Sequence, residues 1–415
     1  MAAISHVDTS RIFILGASRI CLISQVELPG KIEQNAKPLR ENTFGEEMPR
    51  NALVAPTAYK GTLSPARVAE AIAEGVKLAA GDADIVLAPV ADGGDGTIES
   101  LHMALGGTVH HCVVQGPLTD PAEAAWLQIG DLGVIELANA SGLALVPPDR
   151  LQPLRAHTTG TGEVLASCLA IAVPNIVVAV GGSASTDGGT GALRALGAKF
   201  LDADGQPLEP GGGDLSRLHS CDLSDLRHWR NATGIRVATD VTNPLLGPQG
   251  AARTFAPQKG ADPEQVQLLE AALERLADVL EAASGRQARH LPGAGAAGGT
   301  AFGLACALGA AIIPGFQWIA DLIQLELKVA EADLVITGEG RLDHQSLSGK
   351  VIGELAAICR RHGKPLYVIP ASAEGNIEWH DLGIAAVMPA ASGGKQVSAE
   401  DIRQTAARLI RKISG

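Results

Sequence analysis

Apolar and polar positions alternate in regular periods along most of this 415-residue chain. NALVAPT (51–57) predicts a strand that enters a loop. SPARVAEAIAEGVKL (64–78) carries apolar residues at helical spacing, behind an N-capping serine and a proline at the first helical position. DIVLAPV (84–90) then predicts a second strand, and TIESLHMALGG (97–107) predicts a second helix. This β-α-β-α order is typical of a doubly wound α/β domain.

The pattern changes at about residue 108. VHHCVVQ (109–115), EAAWLQI (123–129) and GVIEL (133–137) are short alternating segments separated by turn residues, which predicts a meander rather than a continued parallel sheet. Strand and helix patterns alternate again toward the C-terminus. The simplest arrangement is an α/β fold with two α/β domains, one doubly wound and built from both chain ends, the other inserted. We assign residues 48–107 plus 291–415 to the doubly wound domain and residues 108–290 to the inserted one.

Residues 1–47 differ from the rest of the chain. They are polar, show no sustained period and end just before Met48. We therefore predict a poorly ordered N-terminal extension, with Met48 as a candidate translation start and Met1 as the alternative. The apolar stretch IFILGAS (12–18) is short and is followed by Arg19, so we predict no signal peptide.

Composition limits which binding partners, core residues and cellular compartment we expect for this protein. The net charge is −12, which argues against nucleic acid or an anionic membrane surface as a partner. Aromatic residues make up 3% and glycines number 49, so the core must be built from Ala, Val, Leu and Ile. The six cysteines are scattered without a CxxC spacing, which favours reduced thiols in a cytoplasmic protein. No apolar run reaches the length of a membrane-spanning helix.

Four loops rich in Gly and charged residues follow four apolar runs, where open α/β sheets bind ligands. In PTAYKGTLSP (56–65), Lys60 is a candidate to neutralise a phosphate or a substrate carboxylate, and a surface lysine is the alternative. In ADGGDGT (91–97), Asp92 and Asp95 suit Mg²⁺ or a substrate hydroxyl, although Asp-Gly turns are common.

The third loop, GGSASTDGG (181–189), lies between the apolar run IVVAV and a predicted helix. Gly181, Gly182 and Ser183 suit an anion cradle, because such loops expose backbone N–H groups. Asp187 is unusual there. A carboxylate among these glycines indicates a bound metal, a hydroxyl to be activated, or a turn that needs an Asx cap.

The fourth loop, ITGEGRLDHQSLSGK (336–350), places Glu339, Arg341 and Asp343 at the end of a strand. These residues are candidates for binding substrate or phosphate, and a self-contained salt-bridge network is the alternative. A further long segment (238–261) adds Asp240 and Lys259 among Gly and Pro residues. Its apolar content favours an ordered functional loop.

Several common enzyme signatures are absent from the sequence. It has no GxxxxGK[ST] phosphate loop, no GxGxxG in a βαβ context, no HExxH and no GxSxG. Its histidines show no metal-ligand spacing.

Together these loops resemble the type I glycerate kinases. The similarity covers nearly the whole chain after residue 48, in family order. It rests on KGTLSP (60–65), PVADGGDGT (89–97), GGSASTDGG (181–189), DVTNPLLGPQGA (240–251), PQKGA (257–261), PGAGAAGG (292–299) and DLVITGEGRLD (333–343).

The resemblance implies two α/β domains with the active site in the cleft between them. It also implies a cytoplasmic enzyme that uses ATP and Mg²⁺ to phosphorylate D-glycerate, giving 2-phosphoglycerate. The departure from the family lies in the first loop, where Pro56-Thr57-Ala58-Tyr59-Lys60 replaces the usual P-D-S-F-K and removes an acid. If that acid binds metal or substrate in relatives, this protein must use another carboxylate or a different substrate.

For the mechanism we predict that the Gly-rich loops and their acids bind Mg²⁺ and triphosphate. Asp187 is our first choice to orient or deprotonate the glycerate hydroxyl, and Asp92 is the second. Lys60, Arg341 and Lys259 would hold the glycerate carboxylate or the transferred phosphoryl group. The alternatives are a kinase that forms 3-phosphoglycerate or acts on another hydroxy acid, a non-catalytic nucleotide- or metabolite-binding relative, and a metal-dependent phosphohydrolase.

Overall fold

A five-stranded parallel sheet and a six-stranded mixed sheet organise the computed structural model. The structure describes residues 50–59, 61–118, 120–227, 229, 234–343, 351–374, 379–391 and 396–414. The strands are β1 (Asn51–Val54), β2 (Asp84–Leu87), β3 (Thr108–Gln115), β4 (Pro121–Ile129), β5 (Leu132–Glu136), β6 (Asn175–Ala179), β7 (Lys199–Leu201), β8 (Ser220–Asp222), β9 (Gly234–Ala238), β10 (Ala311–Ile313), β11 (Leu334–Thr337), β12 (Arg341–Leu342), β13 (Leu366–Val368), β14 (Ser372–Ala373) and β15 (Ile384–Val387).

Helices cover these sheets. They are α1 (Pro65–Ala79), α2 (Thr97–Leu105), α3 (Leu137–Ser141), α4 (Thr159–Ala170), α5 (Thr190–Ala195), α6 (Ala251–Phe255), α7 (Pro263–Ser284), α8 (Ala296–Leu308), α9 (Gly315–Leu322), α10 (Leu325–Glu331), α11 (Val351–Arg361) and α12 (Ala399–Ile413). The sequence predicted α1 with its start, because Ser64 caps the helix and Pro65 follows it.

The five-stranded sheet has the order β15-β13-β11-β1-β2 and is buried on both faces. Alternate residues of β1 point to opposite faces, as in any strand. Ala52 and Val54 pack in one core cluster with α1 and α12, whereas Leu53 packs in another with α2, α9 and α11. Helices on both faces of a parallel sheet are the doubly wound α/β arrangement that the sequence predicted.

The six-stranded sheet has the order β10-β9-β6-β5-β4-β3. Strands β3, β4 and β5 form an antiparallel meander, as their alternating pattern predicted, and β5, β6, β9 and β10 pair in parallel. A large core cluster joins this sheet to α4, α5, α7 and α8. Loops leave this sheet at the carboxyl ends of its parallel strands β6 and β9.

The division into two domains stays a prediction. Strand β10 lies beyond residue 291 in the sequence, yet it pairs with β9 of the six-stranded sheet. Leu127 and Val134, from β4 and β5, belong to the same core cluster as β1 and α2. Residues 45–415 form one compact unit. The predicted extension, residues 1–47, lies outside the described residues.

Cys112, Cys168, Cys221 and Cys359 are free thiols, and Cys21 lies outside the described residues. Among the described helices, none is both long enough and apolar enough to span a bilayer.

Candidate active site

A cleft of about 1420 Å³ opens where parallel strands of both sheets end. Loops that follow β1, β2 and β11 line it from the five-stranded sheet, and loops that follow β6 and β9 line it from the six-stranded sheet. The predicted residues on its surface are Asp92, Asp95, Gly181, Gly182, Ser183, Asp240, Lys259, Glu339, Arg341 and Asp343. Lys60 lies outside the described residues.

Two glycine-rich loops from the two sheets touch each other at this cleft. The Gly181 N–H donates to the carbonyl oxygen of Gly93 (3.0 Å). A Cβ atom on Gly181 would lie 2.3 Å from the Cα of Gly94, and one on Gly182 would lie 2.4 Å from Asp95 Oδ1. Only glycine permits this approach, which brings the Asp92–Asp95 loop beside the anion cradle.

Asp92 and Asp240 are neighbouring acids on the cleft surface. Asp92 Oδ1 accepts a hydrogen bond from the Gly94 N–H (3.0 Å). Asp240 accepts from the Gly315 and Phe316 N–H groups at the start of α9 (2.7 and 3.0 Å). Burial raises the pKa of Asp240 to about 6, and the charge of Asp92 adds to this, against the two backbone hydrogen bonds. A cation between the two acids would relieve their repulsion.

Lys259 is buried at the edge of the same cleft. Its ammonium donates to the carbonyl oxygen of Ser185 and lies 3.5 Å from Ser183 Oγ. Burial lowers the pKa of Lys259 to about 7, although the nearby charge of Asp187 opposes the shift. An anion bound in the cradle would favour the charged form of this lysine.

Asp187 has a different position from the one that its predicted catalytic role requires. Its side chain is fully buried, and it is not among the residues that line the cleft. Oδ2 accepts from the Thr158 N–H and hydroxyl (2.9 and 2.8 Å) and from the Gly191 N–H (3.0 Å), and Oδ1 accepts from the Gly189 N–H (3.1 Å). This is the Asx cap that the sequence left as an alternative, and burial keeps both oxygens away from the cleft surface.

The fourth loop combines cleft exposure with ion pairing. Arg341 pairs with Glu374 (2.9 Å) and more loosely with Asp343 (3.8 Å), while its side chain remains 67% exposed. The salt-bridge alternative therefore describes part of this loop. Glu374 lies 33 residues further along the chain, and nothing in the sequence pattern predicted it as a partner of Arg341.

The first loop is held against strand β11. The Thr57 N–H and hydroxyl both donate to the carbonyl oxygen of Gly338 (2.8 and 3.2 Å). The buried Tyr59 hydroxyl donates to the carbonyl oxygen of Ile369. Thr57 and Ala58 line the cleft with small side chains and contribute no carboxylate.

Two further features were missed from the sequence. Glu136 is a buried acid at the end of β5, behind the Asp92–Asp95 loop. Its place at the end of the apolar run GVI was the only hint of it in the sequence. Leu143, Val146, Leu151 and Phe255 are apolar residues that line the cleft, and the first three belong to one apolar cluster. No pattern in the sequence predicted them. Within the described residues, no three His, Cys, Asp or Glu side chains converge as a metal site.

An α/β fold, Gly-rich loops at the ends of two sheets, paired acids and a buried lysine define an enzyme that handles small anionic molecules. The glycerate kinase family model matches residues 52–414. Glycerate 2-kinase of Escherichia coli K12 is 42% identical over 338 residues, which cover 81% of this chain and 89% of that protein. Glycerate kinase of Bacillus subtilis 168 is 42% identical over 322 residues, covering 77% and 84%.

A crystal structure from Salmonella typhimurium LT2, provisionally assigned as glycerate kinase 2, has a TM-score of 0.76 and 39% identity. The match covers 87% of this chain and 97% of that one. The chain belongs to the glycerate kinase family, and it is therefore a transferase of the kinase class.

Proposed function

We propose that this protein transfers the γ-phosphoryl group of ATP to the 2-hydroxyl of D-glycerate, giving 2-phospho-D-glycerate and ADP. The observation that carries this proposal is the meeting of Asp92, Asp240 and Lys259 in one cleft. Phosphoryl transfer needs groups that position the reactants and neutralise charge, and these residues supply both. The name of the Escherichia coli relative supports the 2-phosphate. We further propose that the enzyme works in the cytoplasm on small soluble substrates.

Mg²⁺ fits beside these acids. Proteins commonly hold Mg²⁺ through one or two carboxylates together with substrate phosphates, so Asp240 would hold it with the phosphates while Asp92 is left to accept a proton. The raised pKa of Asp240, about 6, indicates that this position favours an added positive charge. When bound, Mg²⁺ would neutralise phosphate charge.

The two walls of the cleft suit different substrates. Large apolar side chains line it on the side of the six-stranded sheet, where Leu143, Val146, Leu151 and Phe255 offer a surface for a nucleobase. Ser183 and the buried Lys259 lie beside them, where they can bind phosphates. We therefore assign ATP to this side.

Small polar and charged residues line the opposite side, on the five-stranded sheet. We assign D-glycerate to this side, with Arg341 as the candidate for its carboxylate. Asp95, Glu339 and Asp343 surround the same space as candidate hydroxyl acceptors. The small Thr57 leaves room for substrate where relatives carry an acid.

The proposed reaction is a direct phosphoryl transfer with a carboxylate as the proton acceptor. The glycerate hydroxyl oxygen forms a bond to the γ-phosphorus, and the bond from this phosphorus to the bridging oxygen breaks. ADP leaves with that electron pair, and the hydroxyl proton passes to the carboxylate of Asp92. Asp92 takes this role in place of Asp187 because Asp92 lies on the cleft surface and Asp187 does not.

The test is an ADP-release assay with D-glycerate and Mg-ATP, followed by phosphorus NMR of the product. Asp92→Asn should lower kcat by about 100-fold or more, as for loss of a general base, while Asp82→Asn, in an exposed turn, should not. ADP release without a phosphorylated product would instead indicate a phosphohydrolase. A 3-phosphate signal would overturn the proposed regiochemistry, and no ADP release would indicate a binding protein.

A further inference from the structure

Helix α2 begins directly after the Asp92–Asp95 loop, and its N-cap residue supplies no side-chain cap. The N-cap residue is Gly96, which has no side chain and a φ of 84°. Glu136 supplies the cap from another element. Its Oε1 accepts from the Gly96 N–H (2.9 Å), and its Oε2 accepts from the Ile98 N–H (3.1 Å). Glu136 thus satisfies two backbone donors of the first helical turn.

This cap connects the two sheets. Glu136 is the last residue of β5, which pairs with β4 on one side and β6 on the other. Ile98 and Leu101 of α2 belong to the core cluster of the five-stranded sheet. The position of α2, and of the loop before it, therefore depends on a carboxylate fixed at the end of a central strand of the other sheet.

Stability alone does not explain an acid at this place. Glu136 is only 4% exposed. Burial raises its pKa to about 7, the hydrogen bonds from Ile98 and Gly96 oppose this, and the charges of Asp95 and Glu99 add to the increase. Folding raises the pKa of this carboxyl. The free energy of unfolding therefore falls as the pH rises from the pKa in the unfolded chain toward about 7. Buried acids of this kind are more common at functional sites.

We propose that Glu136 is a positioning residue: from β5 it holds the start of α2 and thereby sets the place of Asp92 and Asp95 in the cleft. The inference rests on the proposed kinase function. Turnover then depends on a carboxylate that touches neither substrate. Protonation puts a hydrogen on one of the two acceptor oxygens of Glu136, and this weakens the hydrogen bond from the N–H group that faces it.

The first experiment compares Glu136→Gln with Glu281→Gln. Glu281 serves as the control because it is 3% exposed and also accepts two backbone N–H groups, those of Ala288 and Arg289, away from the cleft lining. It also pairs with the Arg289 side chain (2.8 Å), so Glu281→Gln is the more severe change of the two. We expect Glu136→Gln to lower kcat by about 10-fold or more, as for loss of a supporting hydrogen bond, with KM for ATP little changed. An equal loss of kcat in both variants would overturn the proposal, as would an unchanged kcat in Glu136→Gln.

A second variant keeps the Glu136 carboxylate and changes its pKa. Glu99 raises the pKa of Glu136 and binds the Ser64 hydroxyl (2.8 Å) rather than the cleft. Glu99→Gln should therefore shift the acidic limb of the kcat profile to lower pH, with kcat at pH 8.5 unchanged. This measurement decides the question even if Glu136→Gln does not fold, and an unmoved limb would overturn the proposal. Absence of wild-type turnover with D-glycerate would instead defeat the proposed function.

Discussion

At the scale of single residues, the same local sequence occurs in two different surroundings. Asp92 and Asp187 each precede two glycines, and in each the Oδ1 atom accepts from the N–H two residues on (3.0 and 3.1 Å). The difference lies in the surroundings. Asp187 is sealed by donors from Thr158, 29 residues away, whereas Asp92 remains on the cleft surface. Burial and the other partners of each carboxylate decide its role.

Asp187→Asn should therefore destabilise the protein rather than remove a catalytic group. Asparagine keeps an acceptor for Gly189, but its amide nitrogen cannot accept from Thr158 and Gly191. Three lost hydrogen bonds at about 1 kcal/mol each should lower the free energy of unfolding by about 2–4 kcal/mol. Urea denaturation measures this loss. A large fall in kcat with unchanged stability would restore the catalytic role that the sequence suggested.

Lys259 should couple nucleotide binding to proton uptake. Its pKa is lowered to about 7, so the free enzyme holds it mostly neutral at pH 8, and a bound anion should restore its charge. We expect uptake of close to one proton per ATP at pH 8, and affinity that weakens as the pH rises above 7. Calorimetry in two buffers of different ionisation enthalpy measures the uptake. Lys259→Met should abolish it, and the exposed Lys199→Met should not.

At the scale of elements, helix packing depends on small residues that the periodicity does not reveal. Helices α1 and α12 pack against each other over one face of the five-stranded sheet. At Gly75, an added Cβ would lie 2.3 Å from the carbonyl oxygen of Arg403 and 2.6 Å from the Cβ of Ala406. The backbones of the two helices approach each other too closely here for any side chain.

Gly75→Ala tests this contact. In an exposed helix, this change stabilises by up to about 1 kcal/mol. Here the methyl group must push α1 away from α12, and we expect the free energy of unfolding to fall by about 1–3 kcal/mol. Thermal and urea unfolding measure it, with the exposed Glu74→Ala on the same helix as the control. A more stable Gly75→Ala variant would contradict the close packing.

At the scale of the whole molecule, the two sheets share one of the core clusters. Leu127 and Val134 of the six-stranded sheet pack in the cluster that contains Leu53 and Val335 of the five-stranded sheet. Asp240 also caps α9, whose Phe316 belongs to that cluster. The cleft therefore lies where packing and hydrogen bonds join the sheets, and its loops are anchored from both sides.

Shortening the chain tests where this structure begins. The first described strand starts at Asn51, the family model starts at residue 52, and residues 45–415 form one compact unit. A chain that starts at Met48 should have the same thermal transition, within about 2 °C, and the same kcat as the full chain, because it retains all the described contacts. Calorimetry and the ADP-release assay measure both. A clear loss of either would assign residues 1–47 a structural or catalytic role.

The sequence alone determined the features that depend on near neighbours. It predicted α1 from its cap and proline, the meander β3–β5 from its alternation, and the loops that carry Asp92, Asp240 and Lys259. Hydrophobic period and turn chemistry are local, so α1 and the meander were confirmed, and the loops lie at the cleft with their roles still predictions.

Only the tertiary structure decided what each acid does. Two of the four donors to Asp187 come from Thr158, 29 residues away, and Glu136 caps a helix turn 40 residues earlier in the chain. Such contacts depend on which strand ends are neighbours, and a linear pattern does not encode that order. The physical reason is that burial and distant hydrogen-bond partners fix a carboxylate's availability and pKa, and both arise when the two sheets pack together.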